Sequence, residues 1–341
     1  MSAESPKFMF LLCSERSGSN LITRMLGGHP VVCSPSPTHL IRILCENRPR
    51  YGDLRIDGNW HTLLDDAVAL FVTKLGAWYT ELDFDQLVSE VPERSIVGLL
   101  RYIFSREAVA CSKSVLFIKE NHIYRYLPLL LTAFSDLKIL YQVRDPRDMA
   151  LSWKRSAVLR GCVYRAARTW KTDQEYGIST LGYLSEQGKI RCLKYESLVS
   201  DAAAVLPGIC EFIGIKFDPA MLDFHKAANT REDADCAADW KNIATPVMKN
   251  NFGKFREGLS QDEIACVETI CDIEMRYFGY PRESAAVSDV AALEARVKQL
   301  ELWDKPGYAA ISEKERQIRA RRSRVLERIQ ARPLQGIGGD V

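Results

Sequence analysis

Long apolar runs are missing from this 341-residue chain. Nothing approaches the ~20 consecutive apolar residues that a membrane-spanning helix needs. The apolar stretch from Phe8 to Cys13 is too short for a secretory leader and leads straight into a small-residue turn, so a cytoplasmic location is expected. Charge of one sign is scarce too. Forty-six Lys+Arg against 44 Asp+Glu leave a formal net charge of +2, which excludes a molecule built to coat nucleic acid. The ten cysteines are scattered, with no C-x-x-C pair and no His/Cys cluster at zinc spacing, so no metal is expected. Scattered thiols of this kind behave as small hydrophobes and point to a reducing compartment. Internal repeats and low-complexity segments are absent. What remains, at 47% hydrophobic residues, is globular and long enough for one large α/β domain with appendages.

Two segments carry the chemistry. The first is Glu15-Arg16-Ser17-Gly18-Ser19-Asn20-Leu21. Phe8–Cys13 before it reads as a buried strand, and Leu21, Ile22, Met25 and Leu26 after it are apolar at helical spacing until Gly27-Gly28. A strand, a small-residue turn and a helix start gather backbone N–H groups and a positive dipole end, which suits an anion. Gly18 permits close approach, Ser17, Ser19 and Asn20 add donors, and Arg16 adds a fixed charge. The stretch is not a Walker A loop, since G-x-x-x-x-G-K-[ST] and its lysine are missing.

The second segment lies roughly 130 residues on. Leu137–Val143 reads as another buried strand, broken by Arg144-Asp145-Pro146-Arg147-Asp148, after which Met149 to Trp153 opens a helix. Arg144 at the strand end and Ser152 about two turns into the helix can grip one phosphate. The alternative is a strand-end arginine paired with Asp145 or Asp148.

Both segments in this order resemble the sulfotransferase family, whose donor is 3′-phosphoadenosine-5′-phosphosulfate (PAPS). Arg191-Cys192-Leu193-Lys194-Tyr195-Glu196-Ser197-Leu198 is similar to the family strand ending in Tyr-Glu-(Asp/Ser)-Leu. Asn251 to Ser260 resembles its closing Gly-x-Trp-Arg-x-x-Leu segment, and a helix from Glu263 to Phe278 ending in Phe278-Gly279-Tyr280 is also familiar. The likeness spans about residues 7–281. It implies a P-loop-like α/β fold with a mostly parallel sheet flanked by helices. It also implies a first loop holding the 5′-phosphosulfate, Arg144 and Ser152 on the 3′-phosphate, Tyr195 near adenine, and Lys254 among the donor-binding residues. Arg16 takes the place of the basic residue at the scissile bridge, and Leu21 joins the donor contacts. Two departures stand out: Phe255 replaces the usual tryptophan, and Leu21 stands where small-molecule members often carry an aromatic. Animal Golgi members usually have a membrane anchor, so its absence fits a cytoplasmic, bacterial enzyme.

Strand-like runs at Phe8–Cys13, Val31–Cys33, Val115–Lys119, Ile139–Val143 and Ile190–Lys194 alternate with helical patterns, which implies a parallel sheet with right-handed crossovers. Helices over Asp65–Ser89 and Pro92–Cys111 are expected to wall the acceptor cleft. Residues 1–282 read as the sulfotransferase domain and 283–341 as a helical, basic C-terminal extension. There Val290, Leu293, Val297 and Leu300 form a stripe of about two heptads, too short for an isolated coiled coil, so docking on the core or on a second subunit is expected. Ser312-Glu313-Lys314-Glu315 matches a capping box. The helix it opens carries eight Lys/Arg against three Asp/Glu between Glu313 and Arg332. A solvated helix packed on a neighbour is the plain reading; peripheral membrane contact or a homodimer are the partners it would otherwise allow.

Sulfuryl transfer asks mainly for positioning and charge neutralisation, and arginines with backbone dipoles supply these without a metal. A general base should deprotonate the acceptor. The family's Lys-Thr-His run corresponds to Lys119-Glu120-Asn121-His122, with the histidine one place late. Other members use a glutamate after His-Pro, but His29-Pro30 here is followed by no glutamate until Glu46. His39, after the Ser34-Pro35-Ser36-Pro37 loop, is the first choice, ahead of Glu120, His122 and Glu46. His29 reads as structural. The expected acceptor is a hydroxyl or amine of a carbohydrate, glycolipid or small metabolite. A nucleotide or metabolite kinase would need the missing loop lysine, and a non-catalytic nucleotide-binding protein would not need Arg16, Arg144, Ser152 and Tyr195 together.

Overall fold

Five strands in the computed structural model form one parallel sheet: β1 (Lys7–Cys13), β2 (Val32–Cys33), β3 (Val115–Lys119), β4 (Lys138–Val143) and β5 (Ile190–Lys194). Their spatial order is β2-β3-β1-β4-β5. The structure describes residues 6–156, 158–301 and 311–335. β1 lies at the centre, paired in parallel with β3 on one side and β4 on the other. It is therefore buried on both faces, which is why its sequence is continuously apolar rather than alternating. Phe10 and Leu12 enter one core layer, while Met9, Leu11 and Cys13 enter the other. The chain visits β2 and β3 on one side of β1, then crosses to β4 and β5 on the other. Loops leaving β1 and β4 thus diverge and open a crevice at the carboxyl ends of the strands. The expected α/β architecture holds.

Several details differ from the sequence reading. The single helix expected over Asp65–Ser89 is two, Asp57–Val72 and Phe84–Glu90, separated by a loop. Buried Glu107 captures that loop, accepting from the Tyr79 and Thr80 amides at 3.0 and 2.8 Å. The Ala77 amide donates to Asp233 at 3.0 Å, and the Trp78 indole donates to the Ser36 carbonyl at 2.7 Å. Long-range hydrogen bonding overrides helical periodicity here. The next helix begins at Ile96, where the Ser95 hydroxyl caps it, rather than at Pro92. The terminal helix expected from Glu263 is two helices, Gln261–Ile270 and Asp272–Tyr277, the first opened by a full Ser260/Glu263 capping box.

The cysteine expectation also needs correcting. Cys33 ends β2 and Cys111 caps the helix Ile96–Ala110, which brings their Cα atoms to 6.5 Å and pairs them in a disulfide. Cys33, Glu107 and Cys111 also form the one cluster of potential metal ligands among the described residues. The eight other cysteines form no disulfide, and most of them are buried.

Beyond Pro281 the chain folds back. In the helix Val290–Gln299, Leu293 and Val297 are buried against the helices Gln261–Ile270 and Val163–Glu186, whereas Val290 and Leu300 stay exposed. The heptad stripe is thus a docking face for the core. The final helix, Glu313–Gln330, lies on Asp57–Val72, with Ile329 buried and Val325 and Leu326 packed beside it. The Ser312 hydroxyl accepts from the Glu315 amide at 3.1 Å. Glu315 does not complete the expected box. Its carboxylate accepts from the Ala238 amide at 2.9 Å and from Arg319 at 2.8 Å. Arg328 and Arg332 both reach buried Asp66, which also accepts from the Tyr51 hydroxyl. Much of the basic face is thereby spent on the core. Residues 302–310 and 336–341 of the extension lie outside the described residues.

Candidate active site

The small-residue turn follows β1 directly. Gly18 sits at φ 84° and caps the helix Ser19–Gly27; the Leu21 amide donates to the Gly18 carbonyl at 3.0 Å, while the Ser19 and Asn20 amides have no partners within the helix. A Cβ at Gly18 would meet the Tyr195 ring at 2.3 Å, so both the backbone angle and the tyrosine packed on it require glycine. Arg16 is also left-handed, at φ 64°. Two bonds brace the turn: the buried Ser17 hydroxyl donates to the Ser14 carbonyl at 2.7 Å, and Gln142 on β4 donates to the Ser17 carbonyl at 2.6 Å. Ser17 therefore stiffens the loop with its side chain. Ser19, Asn20 and Leu21 line the cavity above it.

The cavity holds about 350 Å³ and lies at the carboxyl ends of the strands. Arg144, leaving β4, donates to the Arg16 carbonyl at 2.9 Å and covers the Tyr195 ring at 4.4 Å. Its Nε is buried without a partner. Ser152 lies on the helix Pro146–Arg155, which opens with Pro146 and is capped by the Asp145 carboxylate. Arg16 turns towards Ser152, donating from Nε to its Oγ at 3.1 Å, and pairs with Asp239 at 2.9 Å. The pairing with Asp145 or Asp148 weighed for Arg144 goes elsewhere. Asp145 takes buried Arg147, and Asp148 accepts from the Phe255 amide at 3.0 Å and from the Gly253 amide.

Asp148 thereby places the 251–258 segment beside Ser152. A second cavity of about 260 Å³ is lined there by Arg16, Arg144, Ser152, Arg155, Asn251 and Lys254 among others. Four cationic side chains around one hydroxyl make a strong anion site. Tyr195 is buried, and its hydroxyl accepts from Asn251 at 2.9 Å. Phe255, in the family tryptophan's place, is buried between the Arg147 and Arg256 guanidinium groups at 4.1 and 4.7 Å.

The base candidates separate in space. His39 lines the 350 Å³ cavity and caps the helix Leu40–Glu46 at φ 58°. Its Nδ1 has no partner, and burial, aided by the nearby Arg322, holds its pKa well below the ordinary imidazole value. The ring is therefore neutral at pH 7. Glu120 is buried behind it, accepting from the Thr38 hydroxyl at 3.0 Å, and burial pushes its pKa up to about 7. His122 faces away towards Asp173, at 3.5 Å, and the Tyr124 hydroxyl. Glu46 is on the surface with Arg42 and Tyr126. His29 braces its turn, with Nε2 2.8 Å from the Lys216 carbonyl.

Three site residues escaped the sequence reading. Lys119 ends β3 and reaches the Asn20 side chain; burial lowers its pKa to about 8. A lysine closing an otherwise apolar strand was its signal. Arg155 stands three residues after Ser152, one helical turn along the same face, a spacing readable from the sequence. Asp239 comes from a distant 3₁₀ segment, Ala238–Ala244, and has no local signal.

A sequence profile described as the sulfotransferase family matches residues 8–219, more than half of the chain. The human protein named Sulfotransferase 4A1 is 26% identical over 160 residues, which cover 40% of this chain and 56% of that protein. The chain thus spans little more than half the length of this curated relative. Among solved structures, the sulfotransferase domain of the Synechococcus PCC 7002 olefin synthase aligns with 88% of this chain and 96% of its own, at 19% identity and a TM-score of 0.47. Mouse sulfotransferase SULT7A1, complexed with PAP, aligns with 88% of this chain and 90% of its own, at 12% identity and a TM-score of 0.44.

Proposed function

Since this chain belongs to the sulfotransferase family, we propose that it transfers a sulfuryl group from PAPS to a hydroxyl, or an amine, of a carbohydrate, glycolipid or small-metabolite acceptor. One observation carries the donor assignment. Beside the β1 turn, which suits a 5′-phosphosulfate, lies a second anion site of Arg144, Ser152, Arg155 and Lys254. A donor with phosphate at both the 5′ and 3′ positions uses both; ATP or AMP would leave the second one unfilled.

In this reading the sulfur is attacked in line by the acceptor oxygen. The new S–O bond forms as the bond from sulfur to the 5′-phosphate oxygen breaks, and adenosine 3′,5′-bisphosphate leaves. His39 takes the acceptor proton on a neutral imidazole nitrogen. Charge growing on the leaving oxygen is met by the first-turn amides, Lys119 and Arg16. Arg16 would exchange its Asp239 contact for the donor. The cavity wall beyond His39 includes Pro37, Leu75 and Leu159 with Asn121, an apolar surface with a few polar points. No helix among the described residues is long and apolar enough to cross a membrane.

Sulfur-35-labelled PAPS, incubated with the protein and an extract of the host's metabolites, should yield labelled organic product. Arg144→Ala should lose it. Label that passes only to water, or equally with boiled enzyme, would overturn the reading.

A further inference from the structure

The C-terminal helix Glu313–Gln330 lies outside the matched family segment, yet it reaches the catalytic end of the cavity. Arg319 lines that cavity, held by the buried Glu315 carboxylate at 2.7 Å. One turn on, Arg322 donates to the Leu70 carbonyl at 2.8 Å and, through its other terminal nitrogen, to the Thr38 carbonyl. The guanidinium fork therefore ties the last turn of Asp57–Val72 to the residue immediately before His39. That turn needs holding. His39 is a non-glycine residue at φ 58°, a conformation that persists only when its surroundings impose it. The Thr38 hydroxyl, bonded to Glu120, holds the same turn from the sheet side.

We propose that Arg322 is a positioning residue for sulfuryl transfer, pinning the Thr38–His39 turn so that the imidazole stays fixed at the cavity, with Arg319 of the same helix closing the acceptor end. This rests on the reading of His39 as the base. It makes the extension part of the acceptor site rather than an arm for membranes or a second subunit.

The charged and titratable groups around His39 are Arg42 on its own helix, Lys119 at the end of β3, His122 in the turn after it, Arg322 on the C-terminal helix, and Glu120 beside Thr38. Removing Arg322 takes away one cation and loosens the burial, and both changes make the protonated ring easier to form. The His39 midpoint must then rise.

The test uses the full chain and two readouts. The His39 ring resonance is followed by NMR against pH, and hydrogen exchange is measured over residues 36–44. Arg322→Ala should move the midpoint up by roughly 0.5 in pH or more and speed exchange at least about tenfold, the loss of one charged hydrogen-bonding anchor. Arg322→Lys keeps the charge and loses the fork, so exchange should rise while the midpoint stays low. Arg321→Ala, exposed on the same helix, should change neither. Affinity for adenosine 3′,5′-bisphosphate should stay within about twofold in all three. An unmoved midpoint and unchanged exchange in Arg322→Ala would overturn the proposal. Failure of the wild type to bind the bisphosphate would instead overturn the donor reading, leaving the two failures distinguishable.

Discussion

The two ends of the cavity are built in opposite ways. At the donor end, most side chains come from two short contiguous stretches at strand ends, Arg16 to Leu21 after β1 and Arg144 to Arg155 after β4, with Tyr195, Asn251 and Lys254 added from elsewhere. Their neighbours in sequence are their neighbours in space. At the acceptor end, His39, Leu75, Leu159 and Arg319 come from four separated segments. In the proposed reading the donor end serves one fixed chemical group, and much of it can be made from local geometry: a strand, a turn and a helix start. The acceptor end is a packed wall, set by long-range contacts such as Glu107 to the Tyr79 and Thr80 amides and Arg322 to Thr38. A site made this way can change its acceptor by changing loops while the donor end stays fixed.

The sharpest way to separate the two ends is His39→Ala. It should lower kcat by about 10²–10⁴, the worth of a positioned base, and leave bisphosphate binding nearly intact. Because the base must be unprotonated and burial holds its pKa well below 6.5, the acid limb of the wild-type rate profile should lie below that value and vanish in the variant. More than about a third of wild-type turnover would shift the role to Glu120, the other candidate on that side.

Arg144→Ala should do the reverse. In the proposed reading it makes a charged hydrogen bond to the 3′-phosphate, worth about 1.5–3 kcal/mol, so bisphosphate affinity should fall roughly 10–100-fold, with binding of AMP little changed. Titration calorimetry with both ligands checks it. Equal losses for both would mean that the arginine only props up the Arg16 turn.

Smaller still is a pH effect that joins the ends through Lys119. Burial sets its pKa near 8 in the free protein, and a bound anion raises it. Affinity should therefore be full below pH 8 and fall about tenfold per pH unit above it, until the pKa of the complex is reached. A flat profile between pH 7 and 9 would remove Lys119 from the donor contacts. Glu46→Gln should alter turnover by less than about twofold, since its carboxylate lies on the surface. A large loss would return it to the list of bases.

This contrast also explains what the sequence disclosed. The parallel sheet was legible because β1, β3 and β4 are mostly apolar and are followed by turn residues. That Arg144 and Ser152 line one cavity was legible because a fixed strand-to-helix geometry sets their spacing. The split of the helix expected over Asp65–Ser89 was not, because a glutamate more than twenty residues away decides it. Nor was the Cys33–Cys111 pairing, which depends on β2 and the helix Ile96–Ala110 meeting across 78 residues. Asp239 and Arg322 lacked any local pattern for the same reason.

The most direct test of the two-phosphate donor site is calorimetric titration of the full chain with adenosine 3′,5′-bisphosphate and, separately, with AMP. The account predicts a preference for the bisphosphate of at least ~1–3 kcal/mol, the free energy of one charged, hydrogen-bonded phosphate. Equal affinity for the two nucleotides would contradict it.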